Sequence, residues 1–248
     1  MLELKSVSKS FRNVGGEPVR AVDDISLAIG RNEFICLVGA SGCGKTTTLR
    51  LVAGLEQPSQ GEIFLNGQPI HGPGPDRSVV FQRYTLYPWR TVLDNVGFGL
   101  ELQGIDKKAR RKRALEYLTL VGLSAYAAAY PHQLSGGMRQ RVAVARSLAA
   151  KPEVLLMDEP FGALDSLTRN MLQKELTRIW EQERKTILFI THSIPEAVML
   201  ADRVAVMSSN PGRIRQLIEV DLPRPRDQHD PAFKGYQTEI HGLLEHYE

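Results

Sequence analysis

Cysteine is scarce in this sequence, and the two that occur, Cys36 and Cys43, lie in an apolar run and a glycine-rich loop. Two cysteines supply neither a disulfide framework nor a metal quartet, and they suit a reducing compartment. Strong net charge is also missing, because 31 Lys and Arg against 28 Asp and Glu leave a formal charge of +3. This balance gives no independent reason to expect a nucleic-acid binder.

Long hydrophobic runs are missing as well. The longest segment without Asp, Glu, Lys or Arg covers residues 117–138, but Pro131, His132 and three glycines interrupt it, so it cannot form a spanning helix. Residues 1–6 show no cationic leader, and no secretory signal is expected. What is present, 248 residues of which 42% are hydrophobic and 24% charged, suffices for one large α/β domain or two small ones.

The apolar patterning predicts an α/β fold with an additional antiparallel sheet. Short alternating runs up to Ile29, interrupted by a turn-rich segment at 13–18, indicate the antiparallel part. Continuous apolar runs, typical of parallel strands buried between helices, lie at 34–38, 78–81, 154–157 and 186–190. Helix formers dominate 91–150 and predict a helical insertion. The stretch from Pro211 predicts a linker followed by a terminal helix.

A glycine-rich loop follows the first buried run and matches G-x-x-x-x-G-K-[ST], with a helix-like segment after it. In such a loop the backbone N–H groups turn toward a phosphate, and the helix N-terminus adds its positive dipole end. Lys45 would reach the β- and γ-phosphate oxygens, and Thr46 would ligate Mg²⁺. The alternative is a turn that binds nothing. The predicted ATP-binding residues of the loop are Gly39, Ala40, Ser41, Gly42, Cys43, Gly44, Lys45, Thr46 and Thr47.

Two adjacent carboxylates, Asp158 and Glu159, follow the buried run at 154–157. Neighbouring side chains at a strand end point to opposite sides. We therefore expect Asp158 to hold the magnesium shell and Glu159 to orient and deprotonate the attacking water. An acidic pair at a helix start is the simpler alternative.

A third motif, Leu134-Ser135-Gly136-Gly137, narrows the class. Ser135 is a good N-cap, and the glycines expose backbone donors at the helix start. In this order the three motifs resemble those of the ATP-binding cassette (ABC) family. The resemblance implies a P-loop cassette with a RecA-like, mostly parallel core sheet, an N-terminal antiparallel β-subdomain and a helical subdomain insertion. It divides the chain into the β-subdomain and first part of the core (1–90), the helical subdomain (91–150), the second part of the core (151–210) and a tail with a short helix (211–248).

The resemblance also assigns roles to four further residues. Gln82 corresponds to the Q-loop glutamine, which joins the catalytic group and the Mg²⁺ ligands, and Asp165 closes the D-loop at 162–165, across a dimer interface. His192 corresponds to the switch histidine at the γ-phosphate. Phe11 stands where the family stacks an aromatic ring on adenine, although a lone aromatic there is also ordinary core or surface filler. The implied catalytic residues are Glu159, His192, Gln82 and Lys45, and the implied Mg²⁺ ligands are Thr46, Gln82 and Asp158.

In this family two cassettes dimerise head to tail, so ATP at one Lys45 loop is completed by Ser135, Gly136 and Gly137 of the partner subunit. The chain carries one set of motifs, and Ser135 follows Lys45 by 90 residues without sustained heptads. This spacing disfavours the coiled-coil DNA-repair relatives. We expect a homodimer that uses ATP and Mg²⁺, bound peripherally at the cytoplasmic face of the cell membrane. Its partners would be two permease subunits and a substrate-binding protein, with no nucleic acid.

A finer resemblance, to importer cassettes of the nitrate, sulfonate and taurine group, rests on residues 72–77, 87–100 and 210–214. It implies uptake of a small anionic solute. In the family, the region after Gln82 receives a coupling helix of the permease, which makes Tyr84, Leu86, Tyr87 and Trp89 docking candidates. These residues are alternatively the small core of the helical insertion.

Two alternatives concern the basic run and the function. The basic run at 107–113 is either a solvated helix face or a contact for anionic lipid headgroups. The competing function is a soluble ABC ATPase acting on nucleic acid. A structural module with inactive motifs is disfavoured, because no catalytic position is substituted.

Overall fold

The computed structural model of the chain describes residues 1–82, 85–162, 164–183 and 185–247. Tyr84, a docking candidate, and Ala163 of the D-loop lie outside the described residues. Within the described ranges the chain forms two compact units. The first combines residues 1–74 with the stretch from 185 onward, and the second comprises residues 75–183. The four-part division expected from the family resemblance stays a prediction.

The first unit contains the expected antiparallel sheet. Its strands are β1 (Leu2–Arg12), β2 (Pro18–Ile29), β4 (Gln60–Leu65) and β5 (Gln68–Pro69), in the order β2-β1-β4-β5. In β2, the buried Ile25, Leu27 and Ile29 alternate with exposed residues. This period of two shows that one face of the sheet is covered and the other is solvated.

A second sheet of the same unit is mostly parallel. It holds β3 (Phe34–Val38), β8 (Thr186–Ile190), β9 (Arg203–Ser208) and β10 (Arg213–Glu219). Strand β3 pairs in parallel with β8 and β9, and β10 pairs antiparallel with β9. Every residue of β3 and β8 is buried, because both faces are covered. The helices of this unit are α1 (Lys45–Val52), α7 (Ile194–Leu200) and α8 (Pro231–Tyr247).

The C-terminal stretch corrects the prediction of a linker after Pro211. Strand β10 occupies Arg213–Glu219, and only Ile218 of its seven residues is buried. As an edge strand with one neighbour it tolerates a polar sequence, which is why its composition resembled a linker. The terminal helix α8 is present and is 17 residues long, with Phe233 and Ile240 buried.

The second unit is mainly helical between residues 91 and 150. Its strands β6 (Arg77–Val80) and β7 (Val154–Asp158) pair in parallel. Its helices are α2 (Val92–Val96), α3 (Phe98–Leu102), α4 (Lys107–Leu120), α5 (Gly136–Ala149) and α6 (Ser166–Glu183). Helices α2, α4 and α5 pack against one another. In the described part of the chain, no helix has the length and apolar character needed to cross a bilayer.

Candidate active site

The glycine-rich loop connects β3 to α1, as the sequence predicts. Gly44 caps α1 with a φ of 93°, in the left-handed region that glycine adopts at little cost. Lys45 is only 6% exposed, and its Nζ donates hydrogen bonds to the carbonyl oxygens of Gly39, at 2.7 Å, and Ala40, at 2.8 Å. The ammonium therefore lies within the loop that it follows, where an anionic ligand would meet it.

Close packing behind the loop explains two of its glycines. A Cβ at Gly39 would lie 2.6 Å from Cys43 Sγ and 2.8 Å from the Met207 carbonyl oxygen. A Cβ at Gly44 would lie 2.5 Å from Val22 Cγ1. Real Cβ atoms do not tolerate such distances, so any other residue would push the loop away from its support. The loop is a cradle whose shape depends on these glycines.

His192 follows β8 at the same edge of the sheet at which the glycine-rich loop follows β3. Strands β3 and β8 are parallel neighbours with Leu37 opposite Ile190, so the segments that follow them start side by side. Buried Thr191 donates its hydroxyl to Glu196 at 2.7 Å and accepts the Ser193 N–H at 2.9 Å. These bonds fix the backbone around His192, whose own side chain is exposed. Thr191 and Glu196 were not predicted as site residues.

Phe11 lies at the end of β1, opposite Val19, and is 39% exposed. The Lys9 ammonium lies 5.0 Å from the centroid of its ring. An exposed aromatic face beside a cation is able to stack on a planar base. The role of Phe11 at adenine stays a prediction.

The acidic pair ends β7 in the second unit. Asp158 is the last residue of the strand and is buried, whereas Glu159 is half-buried and has a φ of 43°. Strand alternation therefore does not orient Glu159, contrary to expectation, because the residue lies in a left-handed turn beyond the strand. The Gly162 N–H donates to the Glu159 carbonyl at 3.2 Å and closes that turn.

Gln82 and Glu159, two of the predicted catalytic residues, meet in the second unit. Gln82 Nε2 donates to Glu159 Oε2 at 3.5 Å, a long hydrogen bond across 77 positions of sequence. Gln82 itself is exposed. The glutamine amide is thus close enough to orient the carboxylate proposed as general base.

The signature and D-loop residues converge on Thr168 of α6. Ser135 caps α5 as predicted and accepts the Met138 N–H at 3.3 Å. A Cβ at Gly137 would lie 2.9 Å from Thr168 Cγ2. Asp165 accepts the Thr168 N–H at 3.0 Å, and this hydrogen bond lowers the pKa of the Asp165 carboxyl. The position of Asp165 at a dimer interface stays a prediction.

Residues 87–90, within the docking region, are held by a buried amide, Asn95, which is 0% exposed. Its Oδ1 accepts the Tyr87 N–H at 2.8 Å, and its Nδ2 donates to the carbonyls of Tyr87 and Arg90, both at 3.1 Å. The signal that would have identified Asn95 is an amide among apolar residues on the inner face of a short helix.

The docking candidates differ in exposure. Leu86 and Tyr87 are half-buried, and the Tyr87 ring packs 4.6 Å from Phe98, measured between centroids. Trp89 is 72% exposed. Arg146 of α5 donates to the Thr85 carbonyl at 2.7 Å, a contact that the sequence does not reveal. Trp89 is therefore the most exposed of the described candidates, although its ring centroid lies 5.6 Å from that of Tyr87.

The basic run lies on α4. Arg110 forms an ion pair with Glu101 at 3.4 Å and Arg111 with Asp94 at 3.9 Å. Lys107, Lys108 and Lys112 are exposed. Exposed ion pairs of this kind contribute little to stability, so this pattern fits a solvated helix face.

The three predicted magnesium ligands all offer oxygen donors. Thr46, which carries a hydroxyl, is an exposed residue, Asp158 is buried, and Gln82 offers an amide oxygen. Among the described residues, no group of three or more His, Cys, Asp or Glu forms a metal cage. Hard oxygen donors in small number fit Mg²⁺, which keeps several waters and binds substrate phosphates in addition to one or two carboxylates.

A family model described as ABC transporter matches residues 22–162, which is more than half of the chain. The chain belongs to the ABC transporter family. This cassette is 53% identical over 243 residues to an uncharacterized ABC transporter ATP-binding protein of Methanocaldococcus jannaschii, covering 98% of this chain and 91% of that protein.

Two relatives of this cassette carry names with a transported ion. The nitrate import ATP-binding protein NrtD of Synechocystis is 48% identical, over 98% of this chain and 94% of that protein. The bicarbonate transport ATP-binding protein CmpC of Synechococcus elongatus is 47% identical, over 96% of this chain and 37% of that longer protein.

Solved ABC cassettes share the fold. A dimeric cassette in a post-hydrolysis state, bound to ADP and Pi, aligns with a TM-score of 0.80 at 33% identity, over 90% of this chain and all of that one. CbiO1 of Clostridium perfringens, part of the CbiONQ complex, aligns with a TM-score of 0.77 at 27% identity, over 88% of each chain. The chain is an α/β ABC cassette ATPase, and the predictions of family, fold and ATPase activity are confirmed.

Proposed function

We propose that this cassette is the ATP-hydrolysing subunit of an importer for a small anion. It would work as a homodimer beneath two permease subunits that receive solute from a substrate-binding protein. Relatives named for nitrate and bicarbonate support an oxyanion, and the resemblance to sulfonate and taurine cassettes extends the class to organic sulfonates. The observation that carries hydrolysis is the Gln82–Glu159 hydrogen bond, which orients a carboxylate in a turn beyond β7.

The proposed chemistry divides between the loop and the carboxylates. Lys45 and the loop amides bind the ATP phosphates, and Phe11 stacks on adenine. Glu159, held by Gln82, accepts a proton from the attacking water, and His192 contacts the γ-phosphate. Thr46, Gln82 and Asp158 would hold Mg²⁺, which supplies charge neutralisation at the β- and γ-phosphate oxygens. Ser135, Gly136 and Gly137 complete the site of the opposite cassette.

Transport is tested by reconstituting the cassette with its permease in lipid vesicles. We expect ATP hydrolysis to rise when the substrate-binding protein is loaded with one of nitrate, bicarbonate or taurine, and not with the other two. Duplex DNA and RNA at low salt serve as the second arm. Stimulation by nucleic acid, steeply reduced by salt, together with no effect of any solute would support the competing soluble ATPase and refute the importer.

We also propose that Trp89 anchors the cassette to the permease. An exposed aromatic side chain beside a hydrogen-bonded segment suits contact with a helix that docks in the region after Gln82. Trp89→Ala should abolish co-purification with the permease and move the protein from the membrane to the soluble fraction, with ATP affinity unchanged. Tyr126→Ala is the matched control, because Tyr126 is an aromatic residue of the same unit and is 44% exposed. Co-purification of both variants at wild-type yield would remove the docking role.

A further inference from the structure

We propose that residues 210–213, called the turn below and ending on the first residue of β10, position the phosphate loop for ATP. The turn is remote in sequence from the loop and belongs to the segment that composition assigned to a linker. The proposal rests on the ATP site described under Proposed function and adds Gly212 and Arg213 to it as positioning residues. Neither residue would touch the nucleotide.

The first observation is the contact between Gly212 and the back of the loop. A Cβ at Gly212 would lie 2.1 Å from the Cys43 carbonyl oxygen and 3.0 Å from the Ala21 carbonyl oxygen. The Cα–H of Gly212 therefore faces the Cys43 carbonyl directly, a contact of the Cα–H···O type. No side chain fits between the turn and the loop.

This contact determines where a phosphate-binding amide points. The Cys43 carbonyl and the Gly44 N–H belong to one planar trans peptide, in which they point in opposite directions. A carbonyl held against Gly212 thus directs the Gly44 N–H away from the turn. The phosphate-facing side of the loop is set by what lies behind it.

The second observation is the backbone pairing between the turn and β2. The Asp23 N–H donates to the Gly212 carbonyl at 2.9 Å, and the Gly212 N–H donates to the Ala21 carbonyl at 3.1 Å. Residues 21 and 22 of β2 are also the ones that a Cβ at Gly44 would strike, at 2.8 Å and 2.5 Å. The turn therefore supports the loop directly at Cys43 and through β2 at Gly44.

A buried carboxylate anchors this pairing. The Asp23 side chain is 6% exposed and forms ion pairs with Arg213 and, at 2.7 Å, with Arg20. The Arg213 guanidinium is the larger cause of the lowered pKa of Asp23, so the carboxylate stays ionised at neutral pH. Arg213 thus ties the turn to the strand that supports Gly44.

The test compares Gly212→Ala with Gly72→Ala in the full-length chain. Gly72 lies in the same unit, and a Cβ there would meet nothing within 4 Å. Two quantities are measured: the Kd for ATP by titration calorimetry, and amide hydrogen exchange of residues 39–46 without nucleotide. We expect Gly212→Ala to weaken ATP binding roughly tenfold and to accelerate exchange in the loop, while Gly72→Ala stays within about twofold of the wild type in both.

A second pair of variants tests the proposal if the Gly212→Ala protein fails to fold. Arg213→Gln should raise the Kd several-fold and accelerate loop exchange, and Arg213→Lys, which keeps the charge beside Asp23, should recover most of both. Wild-type Kd and exchange rates in a folded Gly212→Ala protein, or in Arg213→Gln, would overturn the proposal. If the wild type itself binds no ATP, the proposed function fails, and loop exchange still decides the positioning role.

Discussion

At the scale of single residues, Asp165 shows how a cassette motif residue also stabilises its own helix. Its carboxylate caps α6 by accepting the Thr168 N–H. The lowered pKa means that the folded state favours the ionised carboxylate more than the unfolded state does. The stabilisation is therefore present above the unfolded-state pKa of about 3.9 and is lost as the pH falls through the lower folded-state pKa.

The Asp165 variants test this sign. Asp165→Asn keeps a capping oxygen, so its melting temperature should fall less than that of the wild type between about pH 5 and pH 2. Asp165→Ala loses the cap and should have a lower melting temperature at every pH. Thermal unfolding followed by circular dichroism measures both. An Asp165→Asn protein with the same acid dependence as the wild type would show that another carboxylate causes it.

Gly137 is a second residue whose role is visible in packing. An added methyl group would lie 2.9 Å from Thr168 Cγ2 and 3.5 Å from Leu164 Cδ2, so the Thr168 side chain or α5 must shift to make room. We expect Gly137→Ala to lower the free energy of unfolding by ~1–3 kcal/mol in urea titrations. Gly235→Ala, on α8 with open space around it, should instead be neutral or stabilising by up to ~1 kcal/mol. Equal stability of the two variants would contradict the crowding argument.

At the scale of elements, the segment 223–226 shows where composition misleads. The Pro-Arg-Pro-Arg sequence suggested a linker, yet Arg226 is only 9% exposed and donates to the carbonyls of Val198 and Ala201 at the end of α7. Burial lowers the pKa of its guanidinium to about 10, which leaves it charged at neutral pH. Arg224 donates to the Leu200 carbonyl at 2.6 Å, so both arginines satisfy carbonyls that the helix leaves unpaired.

Arg226→Met keeps much of the apolar stem and removes the hydrogen bonds. Because buried carbonyls would lose their donors, we expect the free energy of unfolding to fall by ~2–4 kcal/mol. Arg50→Met, at an exposed arginine of α1, is the control and should change it by less than ~0.5 kcal/mol. Urea unfolding of the two variants beside the wild type decides it, and a loss at Arg226 no larger than at Arg50 would contradict the anchoring role.

Sequence predicted the elements that are buried on both faces better than those at an edge. Strands β3, β7 and β8 are mostly continuous apolar runs in which every residue is buried, and that composition is unambiguous. Strand β10 was missed because it has one neighbour and exposes its polar side chains. The same reasoning explains why the turn before β10 was not recognised as a support for the phosphate loop.

The candidate site divides in the same way. Loop motifs were predictable because their chemistry requires glycines, Lys45 and a helix start in one contiguous stretch. Contacts between residues remote in sequence were not predictable. An example is the hydrogen bond from Arg146 to Thr85, which are 61 positions apart. The direction of Glu159 was predicted from strand alternation, but the left-handed φ of that residue depends on the turn closed by Gly162.

At the scale of the whole molecule, the head-to-tail dimer that the family resemblance implies would leave one chain with only half of each ATP site. We expect ATP to drive dimerisation, since Ser135 of each chain would complete the site of its partner. Glu159→Gln should form a stable dimer with ATP in size-exclusion chromatography with light scattering, and Lys45→Ala should not. A Glu159→Gln protein that stays monomeric at saturating ATP would contradict the half-site account.

We propose that Glu159 activates the water that attacks ATP bound at the Lys45 loop. This role is tested by the steady-state kcat for ATP hydrolysis by Glu159→Gln, measured beside the Kd for ATP on the same preparation. Loss of a general base predicts a kcat reduced by roughly 10²–10⁴-fold with a Kd within a few-fold of the wild type. A variant that binds ATP and hydrolyses it at the wild-type kcat would show that Glu159 is not the general base.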